Sequence, residues 1–473
     1  MKLIKNTNSI LFCLILFLFA FIPLYPKFPL INIQGTFVAI RIEDFIIALT
    51  LGLWITHSVY SGQLKRILQD KLNQALLLFF FIGILSTFSA IFLTHSVTPH
   101  LSILHYLRRI EFMLLMPVVA WTINSRKKFV WALITLATTV FMVNVYALGQ
   151  QYLDWPVIST SNSEFSKGLI LSLSPGARVN STFAGHYDLA IYLTMCLSVL
   201  TAIFFAVKKR FKLPLAALGL FSLFILIITA ARQSFLAAFI GIVFSLVLSK
   251  KKKYILFILI CTGVILVYPS QLRDRFISTF TVNILNLGKR YEGKTQDQQI
   301  RSRLNIPTLA VKTSSTSAAM STFASPSGSL ATDITPGEPI DSTQLGVYRS
   351  LQIRLNIEWP RAARAFIKNP FLGTGYSSLD IATDNDFLRS LGEVGLLGTL
   401  AIVLVFIQVG KRMLILLKND NKLIRYFSAG VFSMMVAFII NGMFIDVFEA
   451  SKVASAFWMM MGLGLATFNF KDD

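Results

Sequence analysis

The chain has 473 residues, 55% of them hydrophobic and 14% charged, and its mean hydropathy is +0.66. A soluble globular protein cannot cover that much apolar surface, so an all-α integral membrane protein is expected. The formal net charge is +21, but the basic residues form short clusters between apolar runs, a pattern of membrane orientation and not of a nucleic-acid-binding face.

About twelve apolar stretches are long enough to cross a bilayer, near 8–25, 37–57, 72–93, 103–123, 129–150, 186–207, 213–230, 233–249, 254–269, 387–410, 426–444 and 453–469. The first follows a basic start but precedes no small-x-small cleavage site before Pro23 and Pro26, so it reads as a retained span. Cys13, Cys196 and Cys261 lie inside apolar runs without metal-ligand spacing and read as small buried side chains.

The connecting segments alternate in charge. One set carries Lys65, Arg66 and Lys71; Arg126, Lys127 and Lys128; the clusters 208–212 and 250–253; and Lys411, Arg412, Lys418, Lys422 and Arg425. The short segments of the other set carry little: Lys27, Lys167, Arg178, Arg232 and Lys452. The positive-inside rule puts the first set in the cytoplasm. Both termini are then cytoplasmic, and the long segment between the ninth and tenth spans is extracytoplasmic. Three regions follow: a membrane bundle at 1–269, one large extracytoplasmic loop at 270–386, and a second membrane part at 387–473.

Within the loop, 313–345 is rich in Ser, Thr, Ala, Gly and Pro and reads as a flexible insert. The functional part is 349–386. It contains LQIRLNIEWPRAARAFIK, which places Leu355, Trp359, Ala362, Ala363 and Phe366 on one helical face and Arg361, Arg364 and Lys368 on another. Pro360 should kink or start that helix. It can lie on the membrane surface or pack on the bundle.

Charges at span edges are costly unless they pair or line a wet cavity. Arg41, Glu43, Asp44, Arg108, Arg109, Glu111, His186, Asp188 and Arg232 all fall on the outer half. They suggest one polar cavity under the long loop, or local pairs such as Arg41 with Asp44 and Arg108 with Glu111 or Glu43. Arg232 is held by a short connection at the outer boundary, where a lipid-linked diphosphate would sit, and its guanidinium offers a bidentate fork. The spacing of His95, His100 and His105 shares neither a helix nor a strand face. Neither they nor Asp380, Asp384 and Asp386 are expected to bind metal.

Four segments, in order, resemble the O-antigen ligase / O-antigen polymerase family of bacterial membrane glycan transferases. They are RVNSTFAGHYDLAIYL at 178–193, TAARQSFLAAFIGIV at 229–243, RLNIEWPRAARAFIKNPFLGTGYSS at 354–378 and DNDFLRSLGEVGLLGT at 384–399. Twelve spans with a large outer loop after the ninth are also similar to that family's layout. Ligases of the family carry histidine at the position of Asp384, so the aspartate fits polymerase-like members better.

The resemblance implies a polyprenyl-diphosphate-linked glycan donor and a glycan, lipid or protein acceptor at the outer face of the cytoplasmic (inner) membrane. It implies transfer without metal or other cofactor and with inversion. Arg232 and Arg354 would hold the diphosphate, and Asp384 would take the proton of the acceptor hydroxyl. Asn385, Arg178, Arg349, Arg361 and His186 are the further substrate-binding candidates. The rival readings are a lipid-linked glycan flippase or exporter, and a scaffold without activity.

Overall fold

The computed structural model describes residues 2–26, 28–33, 39–157, 173, 177–281, 354–379 and 382–470. Arg349, Asp380 and the 313–345 segment lie outside the described residues. Among those described, the chain is helical, with an isolated β-bridge between Ile31 and Ile40.

The helices run α1 (Lys2–Leu24), α2 (Ile42–Tyr60), α3 (Leu64–Gln69), α4 (Lys71–Phe88), α5 (Pro99–Thr122), α6 (Arg126–Tyr152), α7 (His186–Phe204), α8 (Lys209–Ile228), α9 (Arg232–Leu248), α10 (Ile255–Val267), α11 (Gln271–Thr281), α12 (Trp359–Lys368), α13 (Asp386–Leu416), α14 (Lys422–Gly442) and α15 (Ser451–Ala466). A helix therefore lies over each apolar stretch of the sequence. Eight are long and apolar enough to cross a membrane, and the bent pair Lys252–Val267 and Gln271–Thr279 makes a ninth if it is one broken span. The expected twelve crossings exceed this number for physical reasons. α5 carries Arg108, Arg109 and Glu111 within its length, and α9 and α15 are short, with 17 and 16 residues.

Close approach of backbones holds the centre together. α7 packs against α9 and α14. A Cβ on Gly430 would come within 2.9 Å of Val199 Cα, and one on Gly241 within 2.3 Å of Ser198 Oγ. Small residues at a helix crossing permit dispersion contacts that lipid cannot match. Polar side chains tie the same three helices: Thr194 Oγ1 donates to the Ser234 carbonyl at 2.9 Å, and Ser234 Oγ to Asn441 Oδ1 at 2.8 Å. Cys196 is buried here, whereas Cys13 is exposed on α1, against its reading as a buried side chain.

The two ends of the bundle differ. At one end Arg412 grips the Asp70 carboxylate, and Lys128 Nζ donates to Asn8 Oδ1 at 3.4 Å. At the other end lie Arg41, Arg108, Arg109, Arg389, Glu449 and the candidate residues. Lys452 belongs there too, but in the first turn of α15 rather than in a loop. Its Nζ is buried and donates to the carbonyls of Thr182 at 2.6 Å and Pro23 at 3.1 Å. α11 turns 91° away from α10 at the same end.

Candidate active site

Two glycine-rich segments form the floor. The Leu396 and Leu397 N–H groups donate to the carbonyls of Pro370 and Phe371 at 2.8 and 3.2 Å. The Thr374 and Gly375 N–H groups donate to the carbonyls of Gly392 and Glu393, each at 2.8 Å. α13 frees these groups because Gly395 leaves helical geometry, at φ 67° and ψ −168°. A Cβ on Gly395 would stand 2.4 Å from the Phe371 oxygen, and one on Gly373 2.4 Å from the Glu393 carbonyl carbon. Asn-Pro-Phe-Leu-Gly-Thr-Gly and Gly-Glu-Val-Gly thus form one backbone clasp. α12 packs against α13 through Ala362, which is buried. Pro360 occupies its first turn, so this helix packs on the bundle.

In front of the clasp stands the turn at 383–386. Asp384 has φ 50°, a left-handed conformation that short polar side chains tolerate best after glycine. Asp446 holds the turn by accepting from Thr383 N–H at 2.7 Å and Asn385 N–H at 3.3 Å. Asn385 caps α13, its Oδ1 accepting from the Phe387 and Leu388 N–H groups at 3.1 and 3.0 Å. Asp386 turns elsewhere and accepts from Val447 N–H at 2.9 Å.

Arg354 is 6% exposed and reaches Asp384 Oδ2 through Nε at 2.9 Å and Nη2 at 2.7 Å. Both bonds fall on one oxygen, and the Asp384 side chain keeps 33% of its surface exposed. Burial pushes the Asp384 carboxyl above its ordinary range; the Arg354 charge opposes that and Asp446 adds to it. Burial also lifts Glu358 to about 7, with Asp384 adding and Arg354 opposing. Glu358 closes the wide turn Arg354–Glu358 that carries Arg354.

The support behind this pair is a chain of opposite charges. Arg389 Nη1 donates to Asp446 Oδ2 at 2.9 Å, and its Nε lies 3.4 Å from Glu393 Oε1 and 3.9 Å from Glu449 Oε1. Arg109 pairs with Glu449. Burial alone would raise Glu449, but Arg109 and Arg389 overcome it and hold the carboxyl well below its usual range. Further along, Arg108 pairs with Asp44 at 3.3 Å, not with Glu111 or Glu43. The Arg41 side chain faces Glu43 at 3.7 Å, and only its N–H meets Asp44. The edge charges therefore form largely paired groups.

On the other side of Arg354 lies a group of arginines. The left-handed Ala230, φ 50°, closes the α8–α9 connection and leaves Arg232 as the first residue of α9. Arg232 is 8% exposed, and its Nη1 donates to the Arg275 carbonyl at 3.3 Å and to Thr279 Oγ1. The charges of Arg275 and Arg354 and the Tyr187 hydroxyl all act on it. The Tyr187 ring lies 5.7 Å from the Arg178 guanidinium and 4.0 Å from the His186 ring. Arg178 and Arg275 both act on His186, which is buried.

The structure thus brings Arg178, His186, Arg232, Arg354, Asp384 and Asn385 to one end of the bundle. Arg361, on α12, acts on Glu358. The sequence reading missed Tyr187, Arg275, Glu358, Asp446 and Glu449. For the last two the available signal was a pair of carboxylates in the short connection before α15. For Arg275 it was a basic residue within an amphipathic segment just after the ninth apolar run. A cavity of about 690 Å³ lies at the opposite end among Trp54, Asp70, Trp121 and Arg412, and holds none of the candidate residues.

A family model described as O-antigen ligase matches residues 216–403, a stretch that includes Arg232, Arg275, Arg354 and Asp384. The comparison with curated proteins gives no match.

Proposed function

We propose that the chain moves a glycan from a polyprenyl diphosphate to an acceptor sugar hydroxyl, since a family model described as O-antigen ligase matches residues 216–403 and that family implies a glycosyltransferase-like membrane enzyme. The reaction takes place at the outer face of the cytoplasmic membrane, with both termini inside. The observation that carries this reading is the Arg354–Asp384 pair standing beside Arg232.

The chemistry follows from charge. A diphosphate leaves as a stable anion, so it needs preorganised positive charge and no acid. Arg232 and Arg354 supply that charge from buried, fixed positions. Asp384 presents its second carboxylate oxygen to the acceptor hydroxyl and takes its proton. The acceptor oxygen bonds to the anomeric carbon as the bond to the diphosphate oxygen breaks. Attack opposite the leaving group inverts that carbon, and the step needs no metal. Arg178, His186, Asn385, Arg361 and Arg349 serve the sugars and the diphosphate. Aspartate in place of the ligases' histidine favours a polymerase-like member, extending a glycan rather than capping a lipid.

The test is direct. Purified protein in nanodiscs receives a defined polyprenyl-diphosphate oligosaccharide and a candidate acceptor. Lengthened or conjugated glycan is expected, and it should vanish in Arg232→Ala and Arg354→Ala. Movement of the lipid-linked glycan across vesicles without any new glycosidic bond would establish the flippase reading instead.

A further inference from the structure

Arg275 on α11 is a half-buried residue. The Nε and Nη1 atoms of Arg275 are shut off from solvent and make no hydrogen bond among the described residues. Burial of charged donors without acceptors is strongly unfavourable, and like charge close by makes it worse. Arg275 has such charge: it acts on both Arg232 and His186. Its own backbone carbonyl meanwhile accepts from Arg232 Nη1 at 3.3 Å. The two guanidiniums are therefore tied to one turn of α11, one through its carbonyl and one through its side chain.

Such an arrangement is stable when an anion occupies it. We propose that Arg275 is a diphosphate-binding residue, which together with Arg232 forms a two-arginine clamp that closes on the bridging end of a polyprenyl diphosphate. The proposal rests on the reading of the function given above. The chemistry selects a diphosphate over a monophosphate. Arg354 already directs part of its charge to Asp384, whereas Arg232 and Arg275 form no ion pair with a carboxylate among the described residues. A diphosphate diester carries an anionic oxygen on each phosphorus and matches one guanidinium apiece. The position of α11, turned 91° from α10, places the clamp at the start of the long outer segment. Arg275 then acts in holding the donor and not in moving the acceptor proton.

The experiment measures equilibrium binding of radiolabelled farnesyl diphosphate to the full-length protein in nanodiscs, with farnesyl phosphate and farnesol as comparison ligands. Arg275→Ala should weaken diphosphate binding by about ten- to a hundredfold and shrink the preference over the monophosphate. Arg275→Lys, which keeps the charge but loses the fork, should fall between. Arg273→Ala on the same helix should bind as the wild type does. In turnover, Arg275→Ala should raise the donor KM far more than it lowers kcat. If Arg275→Ala does not assemble, the lysine variant decides: wild-type affinity and preference in it overturn the clamp. If Arg232→Ala loses binding while Arg275→Ala and Arg275→Lys retain it, the clamp is wrong and the proposed function stands. If all three bind as the wild type does, the assignment of this site to a diphosphate donor falls with it.

Discussion

Glu358 and Asp384 flank one guanidinium, and their ionisation states govern what Arg354 can do. Both carboxyls are raised, Asp384 in direction and Glu358 to about 7. A raised carboxyl stays protonated to higher pH, so Glu358 is neutral below about 7 and negative above it. In the proposed complex its negative form sets a charge beside the donor's phosphates. The donor KM should therefore climb as pH rises through neutrality, and Glu358→Gln should flatten that climb; a pH series of KM values checks it. In the proposed reaction Asp384 acts in the opposite sense on kcat, since its ionised form is the proposed base. Asp384→Asn should suppress kcat by about a hundredfold or more while farnesyl diphosphate still binds. Unchanged turnover in that variant would remove Asp384 from the role of base.

At the scale of elements, the break in α13 is what joins two motifs. Gly395 has φ 67° and no room for a Cβ against the Phe371 carbonyl. Gly395→Ala should cost roughly 1–3 kcal/mol from backbone strain alone, lowering Tm and loosening the clasp that carries α12. Gly52→Ala on α2 is the contrast: a Cβ there meets nothing within 4 Å, and helix propensity favours alanine. Its Tm should stay level or rise. A thermal denaturation series in one detergent separates the two. In this clasp the proline-glycine loop at 369–375 and the glycine-rich start of α13 each supply backbone groups that the other needs.

The whole molecule is polarised, with paired charges and the candidate site at one end and the Arg412–Asp70 pair at the other. Glu449 is the meeting point of Arg109 and Arg389. Its carboxyl is held well below the ordinary value of 4.5, so its stabilisation is complete above that value and is lost only as pH falls through the lowered pKa. Glu449→Gln should lose it at every pH. The side chain is 25% exposed, so solvent screening trims the cost to roughly 2–3 kcal/mol, read as a lowered Tm at neutral pH. Orientation has its own test: a reporter inserted at Ser327 should be active only outside the cytoplasm. A cytoplasmic readout would invert the bundle and move the site to the wrong face for an exported glycan.

Composition and the alternation of basic clusters determined the helical membrane class, the positions of the apolar helices and the expected orientation. These are local properties, set by the length of an apolar run and the charge at its ends. Arg232, Arg354 and Asp384 became candidates because their segments resemble a family in order and spacing, and the structure brings the three to one end of the bundle. Only the tertiary structure decided the partners. Arg354 grips Asp384, Asp446 holds the turn from another helix pair, and the Nε and Nη1 atoms of Arg275, beside Arg232, find no hydrogen-bond partner among the described residues. Such pairings join residues far apart in the chain, and a one-dimensional pattern carries no distance between them. Where several carboxylates and arginines crowd one end of a bundle, helix packing alone selects which of them meet.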